Sequence, residues 1–275
     1  MRKDSSNADY PEQAEGPGKV QAGSQTLLRG LDVIDVVAEG PISLAELAAR
    51  LGLTRSTTHR LASALVDRRY LTFAARQGYQ LGPKLLELGF HARQQTDVVQ
   101  VARSLLENLA AATEDTVHLG VLDEERALYL DKVPGHRRIE ISSRVGDRQP
   151  LTATGLGKAL LLDHPVPAWK ALFDADRAAG APMIDYDLWL TRMEAYVAAG
   201  RAFDLEENED QIRCVAAPIR DVTGAIVAAI SVSSAAQYMD DTRMEALSEE
   251  VRGTALAISR GLGWSEATRL PRRAR

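Results

Sequence analysis

The sequence SLAELAARLGLTRSTTHRLASALVD, residues 43–67, determines how the first part of this chain folds. Its first half carries apolar residues with the i, i+3, i+4, i+7 spacing of a short helix that buries one face. These residues are Leu44, Leu47, Ala48 and Leu51. Ser43 forms a capping box with Glu46 at the start of this helix. Gly52 can end the helix in the left-handed conformation, and Thr54 can cap a second helix.

The second helix has two unlike faces. One arc carries Thr57, Thr58, Leu61, Ala64 and Leu65. The opposite arc is polar and carries Arg55, Ser56, His59, Arg60 and Ser63. Two helices joined by a tight turn, the second with a polar outer face, are typical of a helix-turn-helix that enters the major groove of DNA. A helical hairpin with a solvated polar face is the alternative, and the flanking sequence decides between them.

The flanks favour a winged helix. Residues 26–39 predict a preceding helix whose buried face carries Leu27, Leu31, Ile34 and Ala38. After Asp67, residues 68–73 and 78–81 predict two short strands joined by a turn. We expect Arg76, at the tip of this hairpin, to enter the minor groove, where a guanidinium meets concentrated negative potential. The alternative for Arg76 is an exposed turn residue.

Length and composition exclude several classes of protein. At 275 residues the chain has room for about two domains, and 45% hydrophobic with 26% charged residues is typical of globular proteins. It has no apolar run near the ~20 residues of a membrane span and no signal peptide, which predicts a cytoplasmic protein without a membrane partner. One cysteine, Cys214, excludes an internal disulfide framework, and five scattered histidines predict neither a metal site nor a cofactor.

Charge is unevenly distributed along the chain. Residues 24–90 contain eight Lys or Arg and six Asp or Glu, whereas residues 91–275 contain 22 and 28. A mildly basic head on an acidic body is compatible with DNA binding, because local charge meets the phosphates. Residues 1–23 are rich in Asp, Glu, Ser, Pro and Gly and predict a disordered tail.

A helix predicted to begin at Pro83 links the two parts of the chain. Its apolar residues spread too widely for a surface helix of a monomer, which indicates a linker and dimer-forming element; a helix docked on its own domain is the alternative. These residues are Leu85, Leu86, Leu88 and Phe90. Thr96 is expected to cap the helix that follows.

The rest of the sequence alternates strands and helices. Predicted strands cover residues 117–122, 127–133, 139–143, 213–220 and 225–233, and predicted helices cover about 154–162, 190–199 and 240–261. Strands linked by hairpins beside separate helices predict an antiparallel α+β domain.

Seven runs, in this order and spacing, are similar to the IclR family of transcriptional regulators, from about Leu27 to Gly263. They are LLRGLDVI (27–34), STTHRL (56–61), YQLG (79–82), LTATGLGKALL (151–161), GRAFDLEE (200–207), CVAAPIRDVTG (214–224) and AISVS (229–233). The resemblance implies a winged helix-turn-helix DNA-binding domain at residues 24–82, a linker helix at 83–96 and a GAF-like effector-binding domain at 97–263, before a basic tail at 264–275. It also implies a homodimer or tetramer on a palindromic double-stranded DNA operator.

The resemblance also implies which residues bind. On the polar helix face and the hairpin, the expected DNA contacts are Arg55, Ser56, Thr57, His59, Arg60 and Arg76. The family's ligand contacts carry over onto Gly155, Leu156, Asp204, Cys214, Ser231 and Ser233. The family commonly has His where Thr152 stands and Tyr where Arg201 stands, and both positions are expected near the pocket.

The residues themselves restrict the effector. Ser231 and Ser233 face the same side of one strand, and the N–H groups that open the helix at residues 154–157 favour an anion. Ionised Asp204 only accepts hydrogen bonds, so an acid that also carries a hydroxyl or amine fits best. We expect a hydroxy-, keto-, sugar or hydroxylated aromatic acid. Each of these residues also has an alternative role that involves no ligand. Asp204 could be a turn residue, Cys214 a small buried hydrophobe, and the two serines solvated residues of a strand.

Enzyme activity is not expected. Residues 155–158 lack the earlier glycine and the Ser or Thr after Lys of a phosphate loop, because Thr152 and Ala159 occupy those positions. Cys214 with His118 could form a nucleophile pair, but Cys214 begins a strand in an apolar run. We expect a regulator, most simply a repressor of a catabolic operon released by a small organic acid. An activator, or a metabolite sensor whose winged helix binds protein, is the alternative.

Overall fold

The computed structural model describes residues 24–137, 141–181 and 184–266, and the chain divides into two compact units between Gln95 and Thr96. The elements of the first unit are α1 (Gln25–Ala38), α2 (Leu44–Leu51), α3 (Arg55–Asp67), β1 (Leu71–Ala74), β2 (Gly78–Leu81) and α4 (Pro83–Gln95). Three helices followed by an antiparallel hairpin confirm the winged helix-turn-helix. The predicted tail at residues 1–23 and the basic tail from residue 267 lie outside the described residues.

The caps of the helix-turn-helix form as expected. The Ser43 side chain accepts a hydrogen bond from the Glu46 N–H at 3.3 Å, and Gly52 ends α2 with a left-handed φ of 63°. Thr54 accepts from the Thr57 N–H at 3.3 Å and so caps α3. The two helix ends that set the turn are therefore satisfied by groups within four residues.

Two predicted buried faces are wrong in part. In α1 the buried residues are Val33 and Val37, whereas Leu27 and Leu31 are 66% and 49% exposed. This helix is apolar on two sides, and contact with α2, α3 and β2 selects one of them. Likewise Ala62 of α3 is buried and Ala64 is exposed. Periodicity locates an apolar stripe to within a residue or two, and packing decides its centre.

The wing begins later than predicted. Residues 68–70 continue the turn that ends α3, with Arg69 in the left-handed region (φ 65°) and the Tyr70 N–H bonded to the Leu65 carbonyl at 2.9 Å. Gly78 opens β2 with a φ of 81°, and a Cβ there would lie 2.2 Å from the Ile42 carbonyl oxygen. Glycine is required at this position because the hairpin packs directly against the segment before α2.

Helix α4 buries none of its residues within the described chain. Leu86 is 78% exposed, Phe90 60% and Leu88 41%. Its start contacts the turn before the wing, where the Lys84 N–H donates to the Arg69 carbonyl and Arg69 forms an ion pair with Glu87.

The second unit contains a six-stranded sheet in which every neighbouring pair is antiparallel, in the order β5-β4-β3-β8-β7-β6. Its strands are β3 (Thr116–Asp123), β4 (Arg126–Val133), β5 (Arg148–Gln149), β6 (Ala202–Leu205), β7 (Ile212–Arg220) and β8 (Ile226–Ala235). Its helices are α5 (Val98–Thr113), α6 (Gly155–Leu160), α7 (Val166–Ala178), α8 (Tyr186–Ala199) and α9 (Asp241–Gly261). The predicted α+β class with an antiparallel sheet is confirmed.

Helices cover both faces of this sheet. α5 and α9 pack together on one face, and α6 packs across β7, β8 and β3 on the other. Beyond α6, an aromatic cluster of Trp169, Phe173, Tyr186 and Trp189 joins α7 to α8. Trp169 donates to the Leu161 carbonyl and Trp189 to the Thr152 carbonyl, each at 2.8 Å, on either side of α6, and every residue of α6 is buried.

Several predicted elements differ. No helix was predicted at α7 and no strand at β5 or β6, because these segments are short or lack a clear period. Of the strand predicted at 139–143, residues 139 and 140 lie outside the described residues, and 141–143 are irregular. Asp97, not Thr96, caps α5, accepting from the Val99 N–H at 2.8 Å. No helix within the described residues has the length and apolarity needed to cross a membrane.

Candidate functional site

A cavity of about 370 Å³ lies on the α6 side of the sheet. All six residues predicted to bind an effector line it: Gly155, Leu156, Asp204, Cys214, Ser231 and Ser233. The strand register explains their convergence, since Asp204 pairs with Cys214 across β6 and β7, and Cys214 pairs with Ser233 across β7 and β8. Directly opposed residues on neighbouring strands point to the same face. Three sequence runs therefore meet in one row.

Gly155 allows this row to approach α6. A Cβ at Gly155 would lie 3.2 Å from the Asp204 nitrogen and 3.2 Å from the Cys214 Cβ. At Gly157 a Cβ would lie 2.4 Å from the Leu151 carbonyl oxygen. The two glycines therefore allow α6 to pack closely against neighbouring protein atoms. The Thr154 hydroxyl caps α6 by accepting from the Gly157 N–H at 3.0 Å.

Asp204 both lines the cavity and holds a loop. Its Oδ1 accepts from the N–H groups of Glu207 at 2.8 Å and Asn208 at 3.4 Å, so the turn role and the cavity role coincide. Burial raises the pKa of Asp204 to about 6, opposed by the nearby Lys158 ammonium. The Asp204 carboxyl is therefore protonated below about pH 6 and ionised above it.

A buried ion cluster lies beside Asp204. Lys158 of α6 is 1% exposed, pairs with Glu207 and donates to the Phe203 carbonyl at 3.0 Å. Glu207 also pairs with Arg192 of α8. Burial lowers the pKa of Lys158 to about 8. The cluster ties α6, α8 and the loop after β6 together directly beneath the cavity.

His118 connects several cavity walls. Its Nε2 lies 2.7 Å from the Ser143 hydroxyl and its Nδ1 3.4 Å from the Ser233 hydroxyl. The Ser233 hydroxyl lies 3.0 Å from the Cys214 sulfur. Burial, and then the Lys132 ammonium, lowers the pKa of His118 to about 3, so the imidazole is neutral near pH 7.

This geometry does not support a Cys–His nucleophile pair. Ser233 separates the Cys214 sulfur from the His118 ring. Burial raises the pKa of the Cys214 thiol, which therefore stays protonated, and a protonated thiol is a poor nucleophile. Among the residues that the structure describes, no three His, Cys, Asp or Glu side chains are grouped to hold a metal ion.

Sequence reasoning missed His118 and Tyr129 as cavity residues. Both line it, and their rings stack with centroids 4.9 Å apart. His118 lies in the cavity because it pairs with Ser231 across β3 and β8. The register between two strands so far apart in the chain cannot be read from one sequence.

The two positions that depart from the family do not line the cavity. Thr152 is buried, and its N–H and hydroxyl both donate to Asp176, at 2.9 and 2.7 Å. Arg201 pairs with Glu245 and stacks on the Phe203 ring, 3.8 Å from its centroid. Neither position lines the cavity, and each side chain forms a contact within the protein.

The predicted DNA-contacting residues occupy two exposed surfaces of the first unit. Arg55, Ser56, His59 and Arg60 are exposed on α3, and Thr57 is half-buried. Arg76 is exposed in the turn between β1 and β2. The ion pairs of the described part of this unit join Arg50 to Glu39, and Arg69 and Lys84 to Glu87. The basic side chains on the outer face of α3 and at the hairpin tip therefore remain available to phosphates or bases.

Ser56 and Thr57 also contact Thr54, the residue that caps α3. The Thr54 hydroxyl donates to the Thr57 hydroxyl at 2.9 Å and lies 3.2 Å from the Ser56 hydroxyl. The arrangement leaves Arg55, His59 and Arg60 as the freest hydrogen-bond donors of the helix, and Arg is the side chain that most often reads guanine.

Comparison with known proteins agrees with this architecture. Residues 26–74 match the IclR helix-turn-helix domain, and residues 90–260 match the family described as bacterial transcriptional regulator IclR C-terminal. The HTH-type transcriptional regulator XynR of Escherichia coli (strain K12) is 32% identical over 254 residues, covering 87% of this chain and 98% of that protein.

Two further proteins extend the comparison. The DNA-binding transcriptional repressor YiaJ of the same organism is 29% identical over 254 residues, covering 89% of this chain and 90% of that protein. The crystal structure of the repressor BlcR from Agobacterium tumefaciens has the same fold, with a TM-score of 0.76 at 24% identity, covering 88% of this chain and 99% of that one. The chain is therefore a member of the IclR family of bacterial transcriptional regulators, with a DNA-binding helix-turn-helix domain and an effector-binding C-terminal domain.

Proposed function

We propose that this protein represses a catabolic operon and is released from its operator when a small organic acid enters the cavity of the second unit. The observation that carries the proposal is the convergence of Asp204, Cys214, Ser231 and Ser233, with Gly155 and Leu156, around one cavity of about 370 Å³. Pockets for small ligands typically have volumes of about 300–1,000 Å³. Repression is the commoner mode in the family, and YiaJ is named a repressor.

The lining favours a particular kind of acid. Its carboxylic acids are Asp147, Asp204 and Glu209, its imidazole, His118, is neutral, and no Lys or Arg lines it among the described residues. A carboxylate must then be met by neutral donors, such as hydroxyls and the first N–H groups of α6. Ionised Asp204 accepts from a ligand hydroxyl. A hydroxy-, keto-, sugar or hydroxylated aromatic acid fits better than a plain fatty acid.

We assign DNA binding to residues 24–82, with Arg55, Ser56, Thr57, His59 and Arg60 in the major groove and Arg76 in the minor groove. The exposure of these side chains other than the half-buried Thr57, and the absence of ion pairs at the arginines within the described chain, support this assignment. We assign residues 83–96 to the linker and 97–263 to effector binding. A second copy of this chain, covering the exposed apolar residues of α4, would give the dimer or tetramer that a palindromic operator requires.

Fluorescence anisotropy with the promoter DNA next to the protein's own gene tests this function. We expect sequence-preferring binding whose log affinity falls linearly with log salt concentration, and release by at least one acid of the proposed class. Binding to a protein partner with little dependence on salt would instead favour a sensor that acts through its winged helix. The proposal fails if scrambled DNA competes equally or if no acid of that class changes the affinity.

A further inference from the structure

A tyrosine hydroxyl group in the effector cavity has no hydrogen-bond partner within the described chain. It belongs to Tyr129 of β4, which lines the cavity and is 7% exposed. The backbone of Tyr129, by contrast, is fixed, since its N–H donates to the Asp147 carbonyl at 3.0 Å and its carbonyl accepts from the Gly146 N–H at 2.8 Å. Because Tyr129 lines the cavity and no described group pairs with its hydroxyl, water or a ligand in the cavity can supply that partner.

A β-bulge aims this side chain at the cavity. Lys132 pairs with His118, Asp131 with Leu119, and then Tyr129 with Gly120, so that Leu130 is left without a partner. Asp131 lies on the opposite face, where it pairs with Arg103 of α5. In a regular strand Tyr129 would point the same way as Asp131. The extra residue reverses this alternation and places Tyr129 beside His118, as bulges next to binding sites often do.

His118 holds the Tyr129 ring in place. The two rings stack at 4.9 Å with an angle of 29° between their planes. The His118 ring is itself held by Ser143 on one side and Ser233 on the other. Ser231, the direct cross-strand partner of His118, adds another hydroxyl to the same wall. The position of the phenol is therefore set by three neighbouring segments.

The surroundings make the phenol a donor. Burial, and then Cys214, Asp204 and Asp147, raise the pKa of Tyr129, so the hydroxyl keeps its proton. With no Lys or Arg in the described lining, an anionic oxygen that enters the cavity depends on such neutral donors.

We propose that the Tyr129 hydroxyl selects the effector by donating a hydrogen bond to its carboxylate or carbonyl oxygen, with His118 as the residue that positions the ring. This inference rests on the effector function proposed above. Tyr129 would then be a further effector-binding residue, and it would distinguish an acid or keto compound from the corresponding alcohol.

The test compares Tyr129→Phe with the wild type in binding lactate, pyruvate, gluconate and 4-hydroxybenzoate by isothermal titration calorimetry. Sorbitol and 4-hydroxybenzyl alcohol serve as counterparts without a carboxylate. We expect the wild type to bind at least one of the four acids. For gluconate or 4-hydroxybenzoate, binding should also be tighter than that of the alcohol counterpart. The Phe variant should bind that acid roughly 10- to 100-fold more weakly, the loss expected for one hydrogen bond to a charged group.

The matched control is Tyr196→Phe, which removes a buried tyrosine hydroxyl outside the cavity lining and should leave acid binding unchanged. Without ligand, Tyr129→Phe should unfold at the wild-type temperature, because the hydroxyl has no described partner. If its unfolding temperature drops by more than that of Tyr196→Phe, the hydroxyl forms a structural hydrogen bond and the inference is wrong. Equal acid affinity in Tyr129→Phe, or no binding of any of the four acids to the wild type, would also overturn it. If the wild type binds the promoter and an acid releases it, but Tyr129→Phe responds equally, the inference fails while the repressor function stands.

Discussion

The Asp204 carboxylate has two roles. It caps the loop that contains Glu207 and Asn208, and it also faces the cavity. Burial raises the pKa of Asp204 to about 6, and the nearby Lys158 ammonium opposes this rise. Because the folded-state pKa lies above the ordinary value of 3.8, its contribution to stability is complete below that value and is lost as the pH rises through about 6.

The same protonation should control the preference of the cavity. Below about pH 6 the protonated Asp204 can donate to a carboxylate; above it the ionised group repels an anion and needs a ligand hydroxyl. We therefore expect the preference for lactate over propionate, and for 4-hydroxybenzoate over benzoate, to rise by roughly tenfold between pH 5 and pH 7.5. In Asp204→Asn, which keeps an oxygen to cap the loop, the preference should not change with pH. Calorimetric titrations at both pH values measure it, and a pH-dependent preference in the Asn variant would refute this role.

Arg55 and His59 make a separate prediction for the DNA-binding unit. Both side chains are exposed and neither forms a described ion pair, so their replacement should leave the fold intact. Arg55→Ala combined with His59→Ala should weaken promoter binding by at least roughly 30-fold and change the unfolding free energy by less than about 0.5 kcal/mol. Anisotropy and thermal unfolding measure the two quantities. The control Arg260→Ala, exposed on α9, changes charge away from this face; an equal loss in the control would point to net charge instead of the helix face.

Helix α4 is the element whose sequence does not fit a monomer. A helix of 13 residues that buries none of them, yet exposes Leu86 and Phe90, leaves apolar surface in water. Each fully buried side chain of this size contributes about 1.5–3 kcal/mol, which a second copy of the chain could provide. Leu27 and Leu31 of α1 offer further exposed apolar surface in the same unit.

Charge introduced on α4 should therefore change the oligomeric state without unfolding the chain. We expect Leu86→Glu with Phe90→Glu to sediment as a monomer of 29.9 kDa, because two desolvated carboxylates would oppose burial of this face. Its circular dichroism should match the wild type, since neither side chain is part of a core. Gln94→Glu, exposed on the same helix, is the control for added charge. If the double variant keeps the wild-type mass, α4 does not form the interface.

In the whole molecule, a DNA-binding unit with a small positive charge is combined with an acidic effector-binding unit. Regulation requires that occupation of one changes the affinity of the other, and such coupling is typically about 1–3 kcal/mol, or roughly 5- to 150-fold. Thermodynamic linkage makes this factor the same in both directions.

The reciprocity can be measured. The acid that releases the promoter should bind the protein–promoter complex more weakly than free protein, by the factor with which it weakens promoter binding. Calorimetry of the acid against both forms and anisotropy with and without saturating acid provide the two factors. Scrambled DNA of equal length should leave the acid affinity unchanged. Two clearly different factors would mean that the site titrated by calorimetry is not the site through which the acid releases the DNA.

The sequence by itself determined the features that depend on a few neighbouring residues. The capped turn between α2 and α3 is an example, because Ser43, Gly52 and Thr54 act on backbone groups within four positions. The wing followed from two short alternating runs. Matching runs along the chain identified the family and, through it, predicted six effector contacts, all of which line the cavity.

Tertiary structure alone decided which apolar face of α1 is buried, where Thr152 and Arg201 point, and that Tyr129 and His118 belong to the cavity. His118 contacts Ser143, 25 positions away, and Ser233, 115 positions away. Whether such residues meet depends on strand register and on the bulge at Leu130, which are set by the packing of all the strands together. Local periodicity contains no information about that register, so only the folded sheet could place these side chains.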